Sequence, residues 1–267
     1  MPTANDVTGF LFSMAPKEMK MDFDNVGFLV GRGDRDTSRI LVSLDITNDV
    51  ISEALEIGAG IIVSHHPLFF TLQSVTDSDA VGSKVVRLLE GSISAICMHT
   101  NLDAARGGVN DALAAAAGIA GRGSGAELIS EEGRLASGEV FSYGRVGVLE
   151  TPTGFLEYLG MLKAALNADG LRFHDAGHDV HKVAVVGGSG GDMLDHAIRH
   201  GCDTFVTADI KYDAFLKARE RGMNLIDAGH FCTENVVTKV LAEKLQVEYP
   251  DADVYVSQRH GQVVRFC

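Results

Sequence analysis

The stretch I-L-V-S-L-D-I-T-N-D-V-I-S-E-A-L-E-I-G-A-G-I-I-V-S-H-H-P, Ile40 to Pro67, reads as a strand, a helix and a second strand in one uninterrupted run. Val50, Ile51, Ala54 and Leu55 recur at i, i+1, i+4 and i+5, which lays them along one helical stripe, and Gly58 supplies the left-handed residue that ends such a helix. The flanking runs, Ile40 to Leu44 and Ile61 to Val63, are continuously apolar rather than alternating. That pattern marks strands covered on both faces, and two strands joined through a crossover helix pair in parallel.

The same pattern returns at a constant offset of 143 positions. Val183 to Gly187 leads to Met193, Leu194, Ala197 and Ile198, then Gly201, then Thr204 to Val206. A fixed offset across strand, helix, stop and strand points to an internal duplication. Each copy continues through a helix, around Lys84 to Glu90 and Ala214 to Arg221, into a third strand, Ile93 to Met98 and Asn224 to Asp227. The predicted fold class is therefore α/β, with two related β-α-β-based domains. Between the copies, Glu139 to Leu149 alternates as a strand and Gly154 to Leu166 is an amphipathic helix. The expected boundary lies near Gly121 to Gly125, within the Gly/Ala/Ser-rich stretch Ala112 to Gly125, and the C-terminal segment is expected to return to the first half. The domains then read 1–124 plus 225–267, and 125–224.

In open parallel sheets ligands bind beyond the carboxyl ends of the strands. Ile61 to Val63 ends in Ser64-His65-His66-Pro67, and the next strand runs into His99-Thr100-Asn101-Leu102-Asp103. The last strand of the second copy ends in Asp227-Ala228-Gly229-His230, with Glu234 four residues on. If a helix begins at His230, that spacing puts both side chains on one face. His65, His66, Asp103, His230 and Glu234 are accordingly the candidate ligands of a two-metal centre, with the Asp103 carboxylate suited to bridge two ions. Imidazole with carboxylate suits zinc, iron, manganese, cobalt or nickel. His99 is placed behind the ligands, holding a ligand or a water. The run Gly187-Gly188-Ser189-Gly190-Gly191 lacks the spacing and the lysine of a phosphate loop, and a tight strand-to-helix turn explains it equally well. Under the repeat, His66 aligns with Asp209, which makes Thr207, Asp209, Lys211 and Tyr212 the candidate substrate-binding residues.

A formal charge of −13 opposes attraction to phosphate backbones and anionic lipid, so nucleic acid is a poor partner for the chain as a whole. The start of the chain, Met1 to Val7, carries no secretory pattern and no apolar run reaches membrane-spanning length, so a cytoplasmic protein without membrane association is expected. Cys97, Cys202, Cys232 and Cys267 form no C-x-x-C pair and read as reduced thiols.

Five ordered strings extend this reading: D-N-V-G-F-L-V-G at Asp24 to Gly31, S-L-D-I-T at Ser43 to Thr47, S-H-H-P-L at Ser64 to Leu68, H-T-N-L-D-A-A-R-G-G-V-N-D at His99 to Asp111, and D-A-G-H-F-C-T-E at Asp227 to Glu234. Together they resemble the Nif-three-like dinuclear metal-centre family, also known as GTP cyclohydrolase I type 2 homologues, over nearly the whole chain. The resemblance implies two related α/β domains, ligands at the five positions above, two divalent ions, and a toroidal homohexamer with the metals facing an internal cavity. The family's T-G-D-x-K-Y-H string reads T-A-D-I-K-Y-D here, departing at Ala208 and Asp213. The implied function is a metal-dependent hydrolase, either GTP cyclohydrolase type 2-like or hydrolysing phosphoesters, with His99 or a metal-bound carboxylate moving the proton. The alternative is a non-catalytic metal-binding regulatory or scaffold assembly.

Overall fold

The computed structural model describes residues 1–119 and 126–267. From the N-terminus the chain forms α1 (Ala4–Met14), β1 (Gly27–Val30), β2 (Arg39–Ser43), α2 (Asn48–Ile57), β3 (Ile61–Ser64), α3 (Ala80–Glu90), β4 (Ser94–Cys97) and α4 (Thr100–Ala104). Next come α5 (Val109–Ala116), three two-residue strands, β5 (Glu127–Leu128), β6 (Gly133–Arg134) and β7 (Val140–Phe141), then β8 (Arg145–Thr153), α6 (Phe155–Ala165) and β9 (Arg172–His174). The second copy is β10 (Val180–Val185), α7 (Leu194–Arg199), β11 (Thr204–Thr207), α8 (Tyr212–Arg221), β12 (Asn224–Asp227) and α9 (His230–Glu234). The chain closes with α10 (Val236–Glu248) and β13 (Asp253–Val256).

Two compact units result, one from Met1–Ala105 with Thr238–Gly261, the other from Arg106–Val237 with Gln262–Cys267. The return to the first unit starts at Thr238 rather than at residue 225. The reason is β12, which pairs with β11 and β9 and so holds its segment in the second sheet. The first division falls at Ala105 because α5 packs on β8 and β10. The expected boundary at Gly121 to Gly125 lies outside the described residues.

The sheet of the first unit runs β1-β4-β3-β2-β13, and that of the second β5-β8-β10-β11-β12-β9. The duplication is visible in the register itself. Ile40 faces Ile61 across β2 and β3, and Val183 faces Thr204 across β10 and β11, so both members of the pair are displaced by the same 143 positions. The third strand is parallel in each copy, and an antiparallel strand from earlier in the chain borders it, β1 against β4 and β9 against β12. On the other side the copies diverge, because β13 joins β2 in parallel whereas β8 joins β10 antiparallel.

Local chemistry explains the elements. The Thr47 hydroxyl accepts the Val50 N–H and caps α2, while Gly58 ends it at φ +69°; Gly201 at φ +66° does the same after α7. Val50, Ile51 and Ala54 of α2 share a buried core with Leu41, Ile62, Val85 and Leu88. Leu55, expected on that stripe, lies at its edge and is 45% exposed. In the second unit Leu194 and Ala197 pack with Ala184, Phe205 and Leu225, while Tyr158, Leu159 and Leu162 of α6 pack with Val183, Val185, Val206 and Ile226. These central strands are thus covered on both faces, as their unbroken apolar runs require. Among the described residues no helix is long and apolar enough to cross a membrane.

Candidate metal centre

In the first unit the site begins where β3 ends. The His65 and His66 amides donate to the carbonyls of Ser43 and Leu44, at 3.3 and 2.9 Å, so the turn stays bound to the end of β2. The Ser64 hydroxyl donates back to the His66 carbonyl at 2.8 Å and tightens it. His65 is fully buried, with Nδ1 2.8 Å from the Met98 carbonyl. A carbonyl only accepts, so Nδ1 carries a proton, and in the neutral ring the Nε2 lone pair is turned toward Asp103 Oδ1, 3.6 Å away. Two electron-rich atoms aimed at one another are stabilised by a cation held against both, and an imidazole–carboxylate pair suits a divalent metal.

His66 and His99 are oriented by the same device. His66 Nδ1 lies 2.8 Å from Asp45 Oδ1, and His99 Nδ1 lies 2.8 Å from Asp24 Oδ1. The second oxygen of Asp24 accepts from the Thr100 amide and hydroxyl at 3.0 and 2.5 Å. Burial alone would raise the Asp24 carboxyl, but the bonds from His99 and Thr100 outweigh it and hold the group well below the usual carboxylate range. The same balance, with His260 and His66 as donors, depresses Asp45. One nitrogen from each of His65, His66 and His99 falls within 4.8 Å of the others. His99, expected behind the ligands, therefore stands among the imidazoles as closely as the two histidines after β3.

In the second unit α9 opens at His230, and the four-residue spacing brings His230 Nε2 to 3.0 Å from Glu234 Oε2. His230 Nδ1 lies 2.6 Å from Asp209 Oδ2. The Glu234 carboxylate, against the opposing effect of burial and helped by Asp209, pushes the imidazole up to about 9. A ring between two carboxylates attracts positive charge at both nitrogens, supplied by protons or, at Nε2 together with Glu234, by a metal ion. Asp209 thus serves His230, and its own backbone sits at φ +53°, a left-handed position that few residues other than glycine tolerate.

The glycine run acquires a specific purpose. Gly188, at φ +62°, passes so close to Glu234 that a Cβ there would collide with Oε1. The Gly188 amide donates to the Thr233 hydroxyl at 3.0 Å, and the Gly187 amide to Asn110 Oδ1 at 2.9 Å. Thr207 is fully buried, its hydroxyl donating to the Gly188 carbonyl and accepting the Gly190 amide. This corrects the expectation that Thr207 meets substrate, since it closes the glycine turn instead. Lys211 and Tyr212 are exposed, Tyr212 by 77%, and Lys211 lines a cleft of about 290 Å³ with Ser189, Asp192, Asp195 and Lys217.

Three groups that hold the candidate site's side chains have only a weak signal in the sequence. Asp24 and Asp45 sit inside the quoted strings D-N-V-G and S-L-D-I-T, where an acid beside apolar strand residues was the available signal. His260 stands alone near the C-terminus, and only the fold delivers it to Asp45.

Comparison with known proteins agrees with this architecture. Residues 2–262 match the family described as Duf34/NIF3 (NGG1p interacting factor 3). A Clostridium perfringens protein named GTP cyclohydrolase 1 type 2 homolog is 35% identical over 94% of this chain and 93% of its own. A Streptomyces coelicolor protein of the same name is 33% identical over 99% of this chain and 90% of its own. Among solved structures, a Staphylococcus aureus protein superposes with a TM-score of 0.91 at 26% identity, covering 100% of both chains. A Bacillus cereus protein related to NIF3 superposes equally well, TM-score 0.91, at 23% identity over 100% of this chain and 99% of its own, a likeness of fold. With a match along almost its full length and relatives above 30% identity, the chain belongs to the Duf34/NIF3 family.

Proposed function

We propose that the chain holds two divalent cations, using His65, His66 and Asp103 of the first unit and His230 and Glu234 of the second, and that it acts as a metal-dependent hydrolase on a nucleotide or phosphoester. The observation that carries this reading is the His65 lone pair fixed toward Asp103 by the Met98 carbonyl, a donor arrangement that calls for a positive ion. The cation is zinc, iron, manganese, cobalt or nickel, by the nitrogen and oxygen character of the donors. When bound, such a pair lowers the pKa of a shared water and stabilises charge on attacking and leaving oxygens.

The chain's own groups supply the rest. His99, with its Nδ1 proton committed to Asp24, takes up and releases a proton at Nε2. Lys211 and Tyr212 offer a cation and a phenol to an anionic, ring-bearing substrate. The relatives' name points to GTP as one such substrate, and the family resemblance supports a toroidal homohexamer. The lack of a spanning helix among the described residues and the acidic composition support a cytoplasmic location.

Elemental analysis of the purified protein, followed by a hydrolysis screen over nucleotides and phosphoesters on native and chelator-stripped samples, tests the reading. Two equivalents of metal per chain with turnover that vanishes on stripping is the expected result. Turnover that survives stripping excludes the mechanism, and metal without turnover on any substrate favours a scaffold role.

A further inference from the structure

The S-L-D-I-T string places Asp45 just beyond β2, and its carboxylate accepts from two imidazoles at once. His66 Nδ1 is 2.8 Å from Oδ1 and His260 Nε2 is 2.7 Å from Oδ2. The first contact assigns the His66 proton to Nδ1 and leaves the Nε2 lone pair as its metal-binding atom. The second holds the carboxylate itself in place, so that it cannot rotate away from His66 without breaking a second bond.

His260 does not reach this position by chance of a loose tail. Glu53, in the middle of α2, is a carboxylate only 9% exposed, and a charge so placed is costly unless it accepts hydrogen bonds. Its partners come from the C-terminal turn that follows β13. The Ser257 hydroxyl donates at 2.5 Å, the Gln258 amide at 2.9 Å and the Arg259 amide at 3.3 Å. The Arg259 guanidinium also pairs with Glu56 one helical turn further on. The turn is thus fastened to α2 by three bonds to Glu53 and by the Arg259–Glu56 pair, and the next residue along is His260, whose side chain is 10% exposed.

We infer that Asp45 is a positioning residue for His66 and that His260 braces Asp45, so that the C-terminal turn from Ser257 to His260 sets the geometry of a cation ligand. The inference rests on the metal-centre reading above. A carboxylate or carbonyl behind a ligating imidazole fixes the tautomer and ring orientation, and removing such a group weakens metal binding by about 10–100-fold.

The test uses the full chain. In metal-free protein labelled with ¹⁵N, the His66 ring nitrogens are expected to report the Nδ1–H tautomer, and Asp45→Ala to report a mixture. Zinc and cobalt affinities, measured by competition with a chromophoric chelator, are expected to fall about 10–100-fold in Asp45→Ala. In His260→Ala they fall about tenfold, at the lower end of that range. His260→Gln retains a side-chain N–H for the same oxygen and is expected to recover most of the loss, which a general destabilisation would not allow. Asp45→Asn keeps the side-chain volume and serves if the alanine variant fails to fold; it too is expected to bind more weakly and to shift the visible spectrum of the cobalt protein. An unchanged His66 tautomer with wild-type affinity in the Asp45 variants overturns the inference while leaving the metal centre standing. Equal losses in His260→Gln and His260→Ala overturn the bracing role. A wild-type chain that binds no divalent cation defeats the metal-centre reading and this inference together.

Discussion

The two units share a frame and use it in opposite ways. After the second strand of the repeat, the first unit places His65 and His66, while the second places Ala208 and Asp209 at the same positions, 143 residues on. After the third strand, where the matching strand starts Ser94 and Asn224 are 130 positions apart, α4 carries Asp103 and α9 carries His230 and Glu234. The place that holds an imidazole in the first copy, His66, holds a carboxylate in the second, Asp209. Each is one half of an imidazole–carboxylate pair, with Asp45 bracing His66 and Asp209 bracing His230. A duplicated scaffold therefore preserves where functional side chains are delivered and leaves which member of the pair stands there free to change.

The largest effect that would break this comparison is loss of metal from either half alone. His65→Ala in the first copy and Glu234→Ala in the second are each expected to strip the protein of bound divalent metal, as measured by elemental analysis after dialysis. Gly188→Ala should act on the same half by a different route, because the new Cβ drives Glu234 from its place, and a left-handed alanine adds a cost of about 1–2 kcal/mol to folding. Retention of two metals per chain in both ligand variants would mean that neither residue is a ligand. A Gly188→Ala protein that keeps its metal would mean that the close approach of backbone to Glu234 is incidental.

Next in size are core truncations at matched positions. Ile51 and its counterpart Leu194 are buried to within 2% in their respective cores, and truncating either to alanine is expected to cost about 2–5 kcal/mol in denaturant unfolding. Leu55→Ala, on a side chain 45% exposed, is expected to cost about 0.5 kcal/mol or less. A large cost at Leu55 would show that its exposed side chain contributes more to folding than its 45% exposure implies.

This contrast also shows what could be read from the residues alone. Strand and helix order, the parallel pairing and the repeat were legible because hydrophobic period and glycine stops are local properties, and the 143-residue offset survives into the paired register. The strand ends that carry the His and acid candidates were legible because the apolar runs leading into them are local too, and ligands in such sheets bind beyond those ends. Leu55 was misplaced because a stripe's edge is decided by the neighbouring helix rather than by spacing. Thr207 was given to substrate because nothing local reveals that its hydroxyl closes a turn 19 residues earlier, at Gly188. Asp24, Asp45 and His260 were missed for the same reason, since each acts across 21 to 215 positions of chain, at distances no periodicity encodes.

The smallest effect sharpens the comparison most. Gly58 and Gly201 end α2 and α7 at φ +69° and +66°, nearly the same left-handed conformation in the two copies. A Cβ added at Gly201 meets nothing within 4 Å, and one added at Gly58 comes within 3.1 Å only of the Arg39 Nη1 atom, the far end of a flexible side chain. Packing therefore contributes little at either site, and the cost of Gly→Ala is that of the left-handed backbone alone, about 1–2 kcal/mol in each copy. Melting curves of the two single variants should agree to within about 0.5 kcal/mol, and the double variant should show the sum, because independent sites without shared partners add. A clear inequality would place extra strain at one helix end that the duplicated register does not disclose, and would show that the two copies, though alike in their strands, have separated in how their helices are stopped.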